Sequence, residues 1–236
     1  MTEPQDNQQS TNGRFLNEIE SKRLILRAGL KVTEPVLVSS VSEAVNAARR
    51  MGYPVALKIA SADIIHKSDA GGVVINLTNP ESVEDAFIRI TTSVRQHYPE
   101  AQIDGITVQP QASPGVELII GMKRDPQFGP VIMFGLGGVW VEIFNDVSLR
   151  IAPLSREDAS EMISSLKGYR LLDGYRGQPK VDTATLEDWL IRVSDLAMKN
   201  PQIKEMDINP IIAYERGAVA VDARVLLDEE YDSKSI

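Results

Sequence analysis

The sequence predicts an α+β fold in two lobes: a small α/β lobe, about residues 34–106, set into a larger lobe whose sheet is mostly antiparallel. Strand and helix patterns interleave in the first half, around the nearly continuous apolar run "YPVALKIA" at 53–60. The texture then changes: "DGITVQPQASPGVELIIGMKRDPQFGPVIMFGLGGVWVEIF", residues 104–144, is strand-rich, with Gly or Pro at nearly every turn. The chain closes on "IKEMDINPIIAYERGAVAVDARVLL", residues 203–227, which reads as two strands joined by a turn around Arg216 and Gly217. The domain is expected over 14–227, the large lobe taking 14–33 and 107–227, with 1–13 and 228–236 as tails.

The elements follow in order. Residues 16–29 place Leu16, Ile19, Leu24, Ile25 and Ala28 at a loose helical period that Gly29 ends. "VTEPVLVSS", 32–40, is a short strand. A helix over 40–52 can be capped by Ser40 or Ser42 and is closed by Gly52. Strands at 53–60 and 71–77 precede a long helix over 79–98, with Asn79 as its cap and Pro80 at its first position. Two amphipathic helices, 155–168 and 183–200, lie between the strand-rich region and the closing strands.

Composition narrows the function. The 236 residues suit one large domain or two small ones, and 43% hydrophobic content suffices for a core. There is no cysteine, which excludes disulfides, thiolate catalysis and thiolate metal sites. With 25 basic residues against 33 acidic, the net charge of −8 argues against a general nucleic-acid surface. No apolar run reaches the roughly 18 residues a membrane helix needs. The polar start "MTEPQDNQQSTNG" has no apolar core of a secretory signal. A cytoplasmic protein without nucleic-acid or membrane partners is expected.

The closing strands carry the strongest chemical signal. Side chains alternate faces along a strand, so Asp207 and Asn209 point one way and Ile208 the other. A tight turn near 215–217 brings Asp222 opposite Asn209 or Pro210. Two carboxylates and an amide on one face suit Mg²⁺, which takes a few hard oxygens and completes its shell with phosphates and water; the bland alternative is a solvated hairpin face. Lys58, inside an apolar strand, needs an anion such as a nucleotide phosphate, or else snorkels outward. Glu117 is a lone carboxylate at a strand start, suited to ribose hydroxyls or to plain solvent. "GLGG", 135–138, is a close-approach loop or a simple turn. Of the two histidines, His97 ends a helix and reads as structural. His66 stands in a short link before "KSDAGG", where a surface-loop histidine is the bland reading and Gly71 with Gly72 could act as a pivot.

The order Lys58, His66, Gly71-Gly72, Glu117, GLGG, "MDINP" and Asp222 resembles the ATP-grasp fold. Within it, the chain resembles the beta subunits of ADP-forming acetyl-CoA synthetases (acetate–CoA ligases, ADP-forming), relatives of succinyl-CoA synthetase. The resemblance runs over about 14–227, most specifically in "LKIASADIIHKSDAGGV", "GVELIIGMKRDPQFGPVIMFGLGGVWVE" and "DINP". It implies Lys58 as the phosphate-binding lysine and Val108, Gln109 and Pro110 as the hinge whose backbone meets adenine. Glu117 would hold the ribose, and Asn209 with Asp222 would hold Mg²⁺ together with ADP or ATP. His66 would be the phosphohistidine of this subunit, and Asp207 the carboxylate that orients it, where succinyl-CoA synthetase carries "EINP".

The implied reaction is acetyl-CoA + ADP + phosphate ⇌ acetate + ATP + CoA. The family's alpha subunit carries a CoA-binding domain and a first active-site histidine; this chain shows no dinucleotide fingerprint. It is therefore expected to be half of an enzyme, an α2β2 complex with a CoA-binding alpha subunit. His66 would carry a phosphoryl group from the partner's site to the nucleotide, which explains a histidine on a segment that moves. Two rival readings are another ATP-grasp carboxylate ligase and a nucleotide-binding regulatory module without turnover. Neither needs His66 with Asp207.

Overall fold

The computed structural model describes residues 13–61, 63, 64, 67–138, 146–177 and 179–228. Two separate apolar cores divide these residues into two lobes. The first strand β1 (Arg14–Phe15) leads into helix α1 (Glu18–Arg27), capped by Asn17 in a reciprocal box with Glu20. Its Leu24 and Ile25 are buried in the larger core, so α1 belongs to the large lobe.

The small lobe follows. It contains β2 (Val36–Val38), α2 (Val41–Met51), β3 (Val55–Ala60), β4 (Val73–Leu77), α3 (Pro80–His97) and β5 (Gly105–Pro110). Its sheet runs β2-β5-β3-β4 and is antiparallel at every pairing. Ser40, not Ser42, caps α2, and Asn79 caps α3 with Pro80 behind it. Ala44, Ala48, Val83, Ile90 and Val94 of the two helices pack on Leu57, Ile59 and Val108 of the sheet. Each fully buried aliphatic side chain of Val or Leu size contributes about 1.5–3 kcal/mol. Because β5 pairs with β2 and β3 along its length, the small lobe runs on to Pro110 rather than ending near 106.

The large lobe resumes with β6 (Val116–Asp125), β7 (Gly129–Leu136) and β8 (Val147–Ile151). Helices α4 (Arg156–Ser164), α5 (Tyr169–Leu172) and α6 (Thr183–Lys199) follow, and β9 (Ile203–Ala213), β10 (Ala218–Ala220) and β11 (Arg224–Leu227) close it. The strand order is β1-β11-β9-β6-β7-β8, with β10 beside β9, and all these pairings are antiparallel. Alternate residues of β6, β7 and β9, among them Leu118, Ile120, Phe134 and Ile208, meet Trp189, Leu190 and Val193 of α6 on one face. The other face is left for the cleft. No helix among the described residues is long and apolar enough to cross a membrane.

Candidate functional site

The cleft between the lobes contains a cavity of ≈ 700 Å³, and Lys58, Asp207, Asn209 and Asp222 all line it. Four of the residues singled out from sequence therefore converge. The end hairpin explains three of them. Ile208 is buried while Asp207 and Asn209 on either side are exposed, as strand alternation requires. The Asn209 N–H donates to the Asp222 carbonyl at 3.3 Å, and the Val221 N–H to the Pro210 carbonyl at 2.9 Å, which sets Asp222 opposite Asn209. Tyr214 N–H closes the turn onto the Gly217 carbonyl at 3.0 Å, with Gly217 at φ +75°. Against β6 the register shifts between Leu118 and Ile120, whose partners Ile211 and Ile208 stand three residues apart. The extra residue falls at Asn209 and Pro210, a bulge of the kind that re-aims side chains at sites.

Lys58 comes from the opposite lobe. It is buried, and its Nζ donates to Asp222 Oδ2 at 3.0 Å, to Glu18 Oε1 at 3.2 Å and to the Val221 carbonyl at 3.2 Å. It does not snorkel. Burial opposes its charge, but Asp222 and Glu18 outweigh burial and hold its pKa above the ordinary lysine value.

Asp207 differs. Desolvation in the cleft, with the nearby Asp222 carboxylate adding, pushes its carboxyl up to about 6, against the opposing pull of Arg224. Arg224 is its cross-strand neighbour on β11, and its guanidinium stacks over the Phe15 ring at 4.0 Å.

Glu117 does not line this cavity; it is exposed on β6 beside the glycine turn. The Gly137 N–H donates to the Glu117 carbonyl at 2.7 Å, and a Cβ on Gly138 would stand 2.7 Å from Glu117 Oε2. Glu117 and the end of GLGG are thus one unit. The expected hinge residues lie at the end of β5. Val108 is buried between Val36 of β2 and Leu57 of β3, so its backbone belongs to the sheet. Gln109 is buried too, and its side chain accepts from Lys22 at 2.5 Å. Gln111 is still tied to the small lobe through Asn76 and the Pro54 carbonyl, so the crossing to β6 falls at 112–115.

The glycine pair also differs from an open pivot. Gly71 has φ +65°, and a Cβ on Gly72 would stand 2.6 Å from Ile59 Cγ2 and 2.9 Å from the Lys67 carbonyl. The Gly72 N–H donates to that carbonyl at 2.7 Å, and the Gly72 carbonyl accepts from Ile59 at 2.7 Å. Glycine is required here because the turn is fastened tightly to β3. His97 ends α3, its Nδ1 2.8 Å from the Ser93 carbonyl, in keeping with a structural role. His66 lies outside the described residues.

Sequence reasoning missed Glu18, Lys22, Lys67 and Arg224. Glu18 is buried against three lysines: Lys22 at 2.9 Å, Lys58 at 3.2 Å and Lys67 at 2.6 Å. Although burial opposes its charge, those lysines hold its carboxyl well below the usual range. Lys22 is lowered to about 8, chiefly by burial and further by Lys58, although Glu18 opposes the fall. The available signal was the placing of Glu18 and Lys22 at i, i+4 on the same stripe as Ile25, where a surface pair would not lie.

The donor set suits a divalent ion carried by phosphates. Asp222 and Asn209 offer hard oxygens side by side. Among the described residues no three or more His, Asp or Glu gather into a closed metal cage. Protein oxygens alone would leave such an ion incomplete, as Mg²⁺ on a nucleotide is.

Residues 7–227 match the model of the ATP-grasp domain. The chain belongs to the ATP-grasp family. Within it, the beta subunit of acetate–CoA ligase (ADP-forming) I from Pyrococcus furiosus is 48% identical over 91% of this chain and 92% of its own length. Acetate–CoA ligase (ADP-forming) I of Archaeoglobus fulgidus is 47% identical over 86% of this chain but only 29% of its own length. Among solved structures, the "dinucleotide forming Acetyl-coenzyme A synthetase 1" of Ca. Korarchaeum cryptofilum superposes with a TM-score of 0.89 at 51% identity, covering 91% of this chain and 93% of that one. That structure holds coenzyme A and Ca-AMPCP. Another structure of the same protein holds coenzyme A and Mg-AMPPCP, its phosphohistidine segment pointing towards the nucleotide binding site. The ATP-grasp chain described here thus matches nearly the whole of a separate beta subunit, and about a third of a longer single-chain relative.

Proposed function

We propose that this chain is the nucleotide-binding beta subunit of an ADP-forming acyl-CoA synthetase. It would relay a phosphoryl group through His66 between a partner subunit's site and ADP, within acetyl-CoA + ADP + phosphate ⇌ acetate + ATP + CoA. The observation that carries the reading is the meeting of Lys58, Asn209, Asp222 and Asp207 in one inter-lobe cavity, with Lys67, the residue after His66, at its wall.

Each residue then has a task. Lys58 neutralises phosphate charge, fixed in place by buried Glu18 and half-buried Asp222. Asp222 and Asn209 supply oxygens for Mg²⁺, which when bound spreads the charge on the phosphate oxygens. Asp207, when ionised, accepts the N–H of the His66 ring and leaves the other nitrogen free as nucleophile. The nitrogen forms its bond to phosphorus as the bond from phosphorus to the leaving oxygen breaks; the reverse step returns the group to ADP. Glu117 with the Gly137–Gly138 turn would take the ribose, and the strand end at Gln109–Pro110 with the crossing after it would flank the adenine. Gly71 and Gly72 would serve as the fastened base of the His66 segment. A CoA-binding alpha subunit in an α2β2 complex completes the reading, supported by the longer relative that contains this region as 29% of its chain. A cytoplasmic setting goes with it.

The chain incubated with ATP labelled on its terminal phosphate and Mg²⁺ is expected to take up an acid-labile, alkali-stable label. His66→Ala should lose the label and keep ADP affinity, while His97→Ala should behave as the parent. Full phosphotransfer by His66→Ala with the partner present would remove the relay.

A further inference from the structure

Glu18 has no part in the tasks above, yet it is paired with more lysines than any other carboxylate among the described residues. It is anchored by α1 in the large lobe, while Lys58 and Lys67 come from the small one. Lys22, one helical turn on, shares Glu18 Oε1 and carries the contact on to Gln109 of β5. A buried ion cluster is a costly way merely to fasten two lobes, because apolar packing of similar volume does so as well or better. What it gives that apolar packing cannot is a pair of charged ammonium groups held at the wall of the cleft.

We propose that Glu18 is a positioning residue for the nucleotide: it is the standing counter-ion of Lys58 and Lys67 while Asp222 exchanges its contact with Lys58 for a divalent ion. The inference rests on the nucleotide-binding reading above. Asp222 Oδ1 already accepts from the Ala223 N–H at 2.8 Å, and Oδ2 is the atom that Lys58 occupies at 3.0 Å. When a cation takes Oδ2, Lys58 turns to the phosphate, and Glu18 Oε1, in place at 3.2 Å, is the one carboxylate that still holds its ammonium at the cleft wall. Lys67 depends on Glu18 more fully, at 2.6 Å against 4.0 Å to Asp222. With Glu18 neutralised, Asp222 is the last carboxylate partner of Lys58, and a metal must break that pair to bind.

The test is calorimetric titration of the full chain with ADP over a series of Mg²⁺ concentrations, below each variant's own melting temperature. Glu18→Gln should need more Mg²⁺, by about tenfold or more, for half-maximal tightening of ADP binding, because the metal must then take the last carboxylate from a buried ammonium. Lys67→Met should weaken ADP binding with and without Mg²⁺ by the same factor, leaving the Mg²⁺ requirement unchanged. A purely structural Glu18 would lower the melting temperature of Glu18→Gln while the folded protein bound ADP with the parent's Mg²⁺ requirement, and that result overturns the proposal. If Glu18→Gln does not fold, Glu18→Asp, its carboxylate drawn back by one methylene, decides in the same way: a raised Mg²⁺ requirement supports the role and an unchanged one ends it. A parent chain that binds no ADP at any Mg²⁺ concentration would sink the nucleotide reading itself, a result distinct from a parent that binds and variants that match it.

Discussion

Lys58 of the small lobe and Asp222 of the large lobe meet at 3.0 Å across the cleft. Asp222 is one of the two carboxylates that let the buried Lys58 charge persist where an unpaired one would neutralise. A nucleotide with its divalent ion brings the same two charges in the opposite arrangement. The pair can then separate into lysine with phosphate and carboxylate with metal, and neither group is left without a partner.

Asp222→Ala should weaken Mg-ADP binding by about tenfold or more, since one of two protein oxygens is lost. It should not weaken ADP binding without Mg²⁺, because Lys58 is freed for phosphate. Asn209→Ala should reduce only the Mg²⁺-dependent part. Calorimetry with and without Mg²⁺ separates these; equal affinities for both variants and the parent would remove the metal assignment.

Gly72→Ala tests the fastened turn. Its Cβ would press on Ile59 Cγ2 at 2.6 Å and on the Lys67 carbonyl at 2.9 Å, so β3 or the turn must move. Overpacking of this kind costs about 1–3 kcal/mol, to be read as a lower urea midpoint. An unchanged midpoint would mean that the turn yields freely and does act as a pivot.

How far the sequence carried depends on which force set each feature. The hairpin geometry was legible because strand alternation is local: Asp207, Asn209 and Asp222 fall where period two and a tight turn put them. The two-lobe division was legible from texture, but its edge was not. Nothing local shows where a strand ends and a crossing begins; the place of Val108 inside the sheet depends on β2 and β3, which flank it from distant parts of the chain. Glu18 and Lys67 were illegible for a stronger reason. They are 49 residues apart, and each alone looks like a solvated charge; only the closing of one lobe on the other makes them a pair.

Gln109→Leu should destabilise the chain by about 1–3 kcal/mol, the cost of leaving a buried donor short of an acceptor. The donor is Lys22, which would keep Glu18 and the two Thr33 oxygens but lose its contact to the small lobe. Chemical denaturation measures the cost, and a neutral result would show that Thr33 and Glu18 suffice.

Asp207 gives the chain a pH dependence whose sign can be worked out. Its folded value of about 6 lies above the ordinary 3.8, so the folded state holds the proton more tightly than the unfolded chain does. The resulting stability is fully present below pH 3.8 and is lost as pH rises through 6. A fully shielded carboxyl displaced this far would account for about 3 kcal/mol. Asp207 opens onto the cleft, where water screens it, so about 1 kcal/mol is expected. Asp207→Asn cannot ionise and should escape the loss, gaining on the parent between pH 4 and 7 and running parallel to it above. Arg224→Met should deepen the parent's loss, because the opposing cation is gone. Urea unfolding across this range at constant ionic strength reads both, and identical pH profiles for all three proteins would refute the assignment. The same ionisation should appear in function: phosphoryl labelling of the parent should fall as pH drops below about 6, because protonated Asp207 no longer accepts an imidazole N–H.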